Sequence, residues 1–224
     1  MKKLLLAVLL LIVQFSFAQE DGGEKLPDVG GYYVNLKSGD KLEGNPYLND
    51  TLTYGIVYRN GDPFANYYMR YNVLNDQIEF SSTSDGVELE AMPNDLSMAY
   101  EFNGSRFQYF DFSNKINGIF EVLNIFTDSD FLIKKHMKSI YKPDKQDVNS
   151  YYSGRDPKIS TKAKFYYVED GKAIEVENNK NKVTKNLDNS NKNELKKFIK
   201  ENDLNFDEDG MGLAKLLKYY SSIK

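Results

Sequence analysis

The sequence predicts an α+β fold: a mostly antiparallel β-sheet or open barrel, wound as a meander, followed by a C-terminal pair of amphipathic helices. Three observations carry this. Apolar and polar residues alternate with a period of two through much of the stretch from Tyr32 to Phe112, punctuated by turns rich in Gly, Asn and Asp. The aromatic set is 17 tyrosines and 14 phenylalanines with no tryptophan, which suits half-buried strands. Beyond residue 178 the apolar spacing changes to that of helices.

Residues 1–18 read as a secretory signal. Lys2 and Lys3 form a positive start, Leu4 to Val13 an apolar run, and Ser16-Phe17-Ala18 a small-residue cleavage pattern before Gln19-Glu20-Asp21. Cleavage is expected between Ala18 and Gln19, with the mature chain in the periplasm or extracellular space. The run is too short to be the only span of a membrane protein, and no second run approaches spanning length. The polar, glycine-containing residues 19–30 read as a flexible leader.

A β-rich domain is expected over residues 31–177. Tyr32, Val34 and Leu36 share a face, and Ser38-Gly39-Asp40 turns the chain. Tyr54, Ile56 and Tyr58 alternate up to Asn60-Gly61-Asp62-Pro63. The cleanest alternation sets Tyr67, Met69, Tyr71 and Val73 on a core face against Tyr68, Arg70 and Asn72 on a wetter one. Ile78 and Phe80 follow against Gln77 and Glu79, then Val87, Leu89 and Ala91 against Glu88 and Glu90. Leu96, Met98, Tyr100 and Phe102 lead into the hairpin turn Asn103-Gly104, and Ser105 to Phe112 returns. Such a meander has one buried and one wet face. Ile119 to Phe126 is apolar on both parities and predicts a strand covered on both sides, a short helix being the alternative. Phe131 to Tyr141 continues as a strand, residues 142–162 as a polar loop, and Asp170-Gly171 turns a last hairpin.

The C-terminal helical segment spans residues 178–224. Asn191 and Glu194 have the spacing of a capping box before Leu195, Phe198 and Ile199. Leu213, Leu216, Leu217 and Tyr220 form a second stripe. The lysines at 192, 196, 197 and 200 read as a solvated face, tempered by Glu194 and Glu201.

Composition narrows the chemistry. The formal charge of −4, two units more negative without Lys2 and Lys3, gives no basic bias toward nucleic acid. An apolar fraction of 41% supports a folded core. Without cysteine there can be no disulfide, thiolate nucleophile or cysteine-linked lipid anchor. An exported chain of this size without disulfides fits a bacterial origin.

His136 is the single histidine, so no multi-histidine zinc site exists. Alternation groups it with Lys134 and Lys138 on a charged, exposed face, away from any triad. Asn205, Asp207, Asp209 and Gly210 copy the first half of a calcium loop. The closing acid is replaced by Leu216 and the eighth position is Gly212, so helix capping explains them better. Thr127-Asp128-Ser129-Asp130 reads as a turn. There is no glycine-rich phosphate loop and no nucleophile elbow. No cofactor or metal is expected, and no catalytic residue can be assigned.

Several stretches resemble a group of secreted proteins of the Bacteroidota. They are the signal ending at Ala18-Gln19, the run from Gly31 to Gly44, the run from Arg70 to Phe80, Gly118 to Leu123, and Lys197 to Asn202. The resemblance implies an exported β-rich domain with a helical tail, and no activity. Asp50-Thr51-Leu52 also looks like the short O-glycosylation signal of that phylum.

The function expected is a non-enzymatic binding or envelope-associated one, with an envelope or extracellular partner. The alternative is a hydrolase of envelope material or polysaccharide acting through paired carboxylates. A hydrolase should show a cleft holding two partly buried acids with raised pKa values. A binding module should show an aromatic face or an open sheet edge. A third possibility, an eight-stranded outer-membrane barrel, is disfavoured by the lysine-rich helical end.

Overall fold

The structure is a computed structural model that describes residues 32–33, 44–141, 158–187, 189–206 and 209–224. The signal and its Ala18–Gln19 junction, the leader, the expected turn at residues 38–40 and Asp207 lie outside the described residues.

Eleven strands form one antiparallel sheet. They are β1 (Tyr32–Tyr33), β2 (Thr53–Arg59), β3 (Asp62–Asn72), β4 (Gln77–Ser81), β5 (Glu90–Ala91) and β6 (Met98–Phe102). Then come β7 (Ser105–Asp111), β8 (Asn117–Ile125), β9 (Phe131–Tyr141), β10 (Lys158–Glu169) and β11 (Lys172–Val176). Two helices follow, α1 (Lys192–Glu201) and α2 (Met211–Ile223). The spatial order is β1-β5-β4-β3-β2-β6-β7-β8-β9-β10-β11. It departs from a pure meander twice: β1 lies beside β5 and not β2, and the chain leaves β5 to lay β6 beside β2.

Three of the hairpins turn on pairs the sequence marks. Asn60-Gly61 (φ 53° and 90°), Asn103-Gly104 (52° and 75°) and Asp170-Gly171 (47° and 72°) all have two left-handed residues. Such turns match the right-handed twist of the strands they join.

The core divides into three clusters. The first lies on one face of β2 to β8, where Met69, Tyr71, Ile78, Tyr100, Phe107 and Ile119 pack together. The third lies on the opposite face of β7 to β11, around Phe112, Phe120, Ile133, Tyr166 and Val168. The same strands feed both: Phe107 and Ile119 point one way, Phe110 and Phe120 the other. The sheet therefore buries apolar side chains on both of its faces. The expected two-sided cover of β8 is observed, with Ile119 and Phe120 both buried.

The second cluster is the helical pair on the sheet. Leu195 and Ile199 of α1, with Leu213, Leu216, Leu217 and Tyr220 of α2, bury against Leu132, Phe165, Tyr167 and Val176. A polar clamp fixes the end of α2. Lys224 lies 2.6 Å from Asp130 and 2.7 Å from Glu169. Tyr167 and Ser221 donate hydroxyl hydrogen bonds to Asp130 at 3.0 and 2.8 Å.

Several expectations are corrected. The polar loop expected to reach residue 162 stops earlier, because Lys158 to Lys162 pair with Tyr141 to Met137 as the start of β10. Asn72, expected on the wetter face, is buried, because it reaches the Glu79 carboxylate. The strand expected over Val87 to Ala91 shrinks to Glu90–Ala91, and Val87 is 81% exposed, because residues 82–89 form a loop with no strand beside them. Leu96 is exposed and β6 starts at Met98. Asn191 makes no side-chain cap; a 3-10 turn, Asn189–Asn191, leads into α1 instead. Glu79 is fully buried instead of wet, because register places it opposite Arg70. Arg70 donates to the Glu79 carboxylate at 2.8 Å, and Asn72 donates to its other oxygen at 2.8 Å.

Among the described residues no helix is long and apolar enough to cross a membrane.

Candidate functional site

β8 and β9 pair only partway. Their ladder runs from Ile125↔Phe131 to Glu121↔Lys134 and then stops. Beyond it β8 stays with β7, while β9 continues with β10 as far as Tyr141↔Lys158. A partly buried polar cluster fills the fork. Lys135 Nζ lies 2.7 and 2.6 Å from the two Asp76 oxygens and donates to Ile119 O at 3.0 Å. The Tyr71 hydroxyl donates to Asp76 at 2.6 Å. The Ile119 N–H points at the same carboxylate, 3.3 Å from Oδ2. These bonds replace the missing ladder, since buried backbone groups need partners.

Gly118 makes the fork possible. Its φ is +118°, and a Cβ there would collide with Asp76 Oδ2 and Lys135 Nζ. A side chain at 118 would force the ends of those two side chains to shift, on top of the strain of the positive φ.

On the other face, His136 is 9% exposed, which corrects its expected surface position. Alternation places it away from Lys135, but that face carries rings of the first core cluster instead of meeting water. The ring packs 6.3 Å from Tyr71 and 6.5 Å from Phe107. Its Nε2 is 2.7 Å from Glu121, whose second oxygen accepts a 2.6 Å bond from Ser105. Burial pushes the Glu121 carboxyl up, but the bonds from His136 and Ser105 outweigh it and hold the group below its ordinary value. Serine meets the carboxylate and not the imidazole, so the three do not form a nucleophile–base pair.

A strap of residues 44–50 crosses beside the fork. Lys138 Nζ donates to the carbonyls of Asn45 and Tyr47. The Arg70 guanidinium lies 3.6 Å over the Tyr47 ring. Between the fork and β10 opens a cavity of about 350 Å³. Its walls include Val73, Met137 and Ser139, with Asp76, Lys135 and Lys162 among its polar groups. His136 and Lys138 complete it. Burial pulls the ammonium groups of Lys135 and Lys138 below the ordinary lysine value, against the opposing pull of Asp76 on the first and Asp50 on the second.

Three other cavities lie around the helices, of about 510, 450 and 330 Å³. None of the four holds more than one carboxylate. No group of three or more His, Asp or Glu able to hold a metal occurs among the described residues.

The other sequence-marked residues take structural positions. Asp209 accepts the Met211 N–H at 2.8 Å and starts α2. Thr127 Oγ1 accepts the N–H groups of Ser129 and Asp130 at 3.3 and 3.0 Å, as a turn requires. Asp130 does more than turn the chain, since it is buried in the Lys224 clamp. Tyr68 is half-buried on the wetter face, edge-on to the exposed Tyr54 at 5.1 Å. Sequence reasoning did not select Asp76, Lys135, Glu121 or Lys162. The available signal was the run Lys134-Lys135-His136 inside an otherwise apolar strand, where charges need partners.

Comparison with known proteins brings no match: no family model, no curated protein and no solved structure matches the chain.

Proposed function

We propose that this is an exported, non-catalytic module that holds a small ligand in the cavity at the β8–β9 fork. The export part of the reading rests on the leader of residues 1–18. One observation carries the binding part. The fork is concave and largely apolar, and its partly buried titratable groups are committed to fixed pairs, Asp76 with Lys135 and Glu121 with His136. Such a site offers shape and charge, but no adjacent acid and base free to exchange protons with a substrate. The hydrolase reading asks for two carboxylates in one cleft with raised pKa values, and no observation favours it.

Native mass spectrometry of protein recovered from the envelope tests the reading. A co-purifying small molecule is expected. Ser139→Trp, which fills the cavity from an exposed β9 position, should abolish it while leaving the melting temperature within about 2 °C. Recovery of the same molecule on the Trp variant, or of none on the parent, would overturn the proposal.

A further inference from the structure

We infer that the fork cavity takes the anionic group of an amphipathic small molecule, a carboxylate or a phosphate, at Lys162, with the apolar body lying along Val73 and Met137. The inference rests on the cavity reading above and names the class of ligand. The first argument is charge. Lys135, Lys138 and Lys162 face a single carboxylate in the cavity, Asp76, and Lys135 already neutralises it. Asp50 belongs to the strap, outside the cavity lining, and of the three lysines its field is seen on Lys138. The site is thus net positive on a chain whose overall charge is negative.

The second argument is donor supply. Lys135 is engaged by Asp76 and Ile119 O, and Lys138 by two strap carbonyls. Lys162, opposite Met137 in the β9–β10 register, forms no ion pair with any other described residue. It is the donor left to meet an incoming anion, backed by the field of the other two. The third argument is the wall. Val73 is 5% exposed and Met137 stands half-buried beside it, so the floor repels a fully hydrated ion and favours an apolar chain. The two half-buried ammonium groups, already pulled down by burial, would be stabilised by an anion arriving beside them.

Calorimetric titration with octanoate, octyl phosphate and neutral 1-octanol tests this on the full mature chain. Both anions should bind, and octanol should bind at least tenfold more weakly. Lys162→Glu should weaken the anions by roughly tenfold or more, the loss expected when one charge-assisted hydrogen bond disappears, and leave octanol unchanged. Ser139→Trp should abolish all three. Octanol binding as tightly as octanoate, with both lost in Ser139→Trp, would overturn the anion assignment and keep the cavity. Octanoate binding equally to parent and Ser139→Trp, or no binding of either anion at millimolar concentration, would overturn both.

Discussion

Tyr71 and Tyr68 stand three residues apart on one strand and face opposite ways, so their truncations should differ sharply. Tyr71 is 1% exposed, packs 5.5 Å from Phe107, and donates a 2.6 Å hydrogen bond to Asp76. Tyr71→Ala removes a buried ring, a loss of about 3–5 kcal/mol. The upper end is expected, because the Asp76 carboxylate loses a donor as well. Tyr71→Phe isolates that second part at about 1–2 kcal/mol, since Lys135 and the Ile119 N–H still serve Asp76. Tyr68 is half-buried and makes an edge contact with the exposed Tyr54, so Tyr68→Ala should cost about 1 kcal/mol or less. Urea denaturation with matching slopes gives all three values. Equal losses at 68 and 71, or a larger one at 68, would refute the one-sided burial of β3 and the fork built upon it.

Acid should unfold the protein through Glu121 and Asp130. Burial pushes Asp130 up, but bonds from Lys224, Ser221 and Tyr167 outweigh it, and both groups sit below their ordinary values when folded. Their stabilisation is complete above the unfolded value of about 4 and is lost as pH falls through the folded values. Glu121→Gln and Asp130→Asn should therefore lower stability at pH 7 and flatten the acid limb; a limb unchanged in both would contradict this. Gly212→Ala should destabilise strongly, by about 3 kcal/mol, because a Cβ there runs into the Asn205 backbone, whereas Gly61→Ala meets open space and should cost only about 1 kcal/mol of left-handed strain. Asn114 donates to Ala173 O at 2.7 Å and accepts its N–H at 3.4 Å, while Asn186 donates to Glu175 O at 2.8 Å, so two side chains plug the outer edge of β11. Asn114→Ala should reopen that edge and raise self-association in light scattering; a monomer at all concentrations would count against the plug. Melts in calcium and in chelator should coincide, and a calcium-dependent rise lost in Asp207→Ala would show a working metal loop.

Much of the sheet was legible. The core face of Tyr67, Met69, Tyr71 and Val73 and the three Asn-Gly and Asp-Gly turns follow from local rules and act where the sequence marks them, although Asn72, expected on the wetter face, is buried. The misplacements share a cause. Period-two patterning identifies two faces but not which is wet, and a sheet that carries core clusters on both faces buries both. His136 and Glu79 were assigned to solvent on the premise of one wet face. The partner of Glu79 was readable only in part, since a two-residue turn at Asn75-Asp76 would set Asn72 opposite Glu79, and the four-residue turn over 73–76 sets Arg70 there. The partner of His136 was not, because Glu121 reaches it only through the β8–β9 register. The fork is a tertiary feature: Asp76, Gly118 and Lys135 converge from three separate segments, and no local pattern announces their meeting.

The central claim is that the fork is where this protein meets its ligand. Backbone amide shifts recorded during an octanoate titration test it most directly. The account predicts saturable changes concentrated on Val73, Asp76, the β9 residues Lys135 to Ser139, and Lys162. Changes concentrated instead on Phe198, Lys215, Lys218 and Tyr219 in the groove between α1 and α2, or no saturable change, would contradict it.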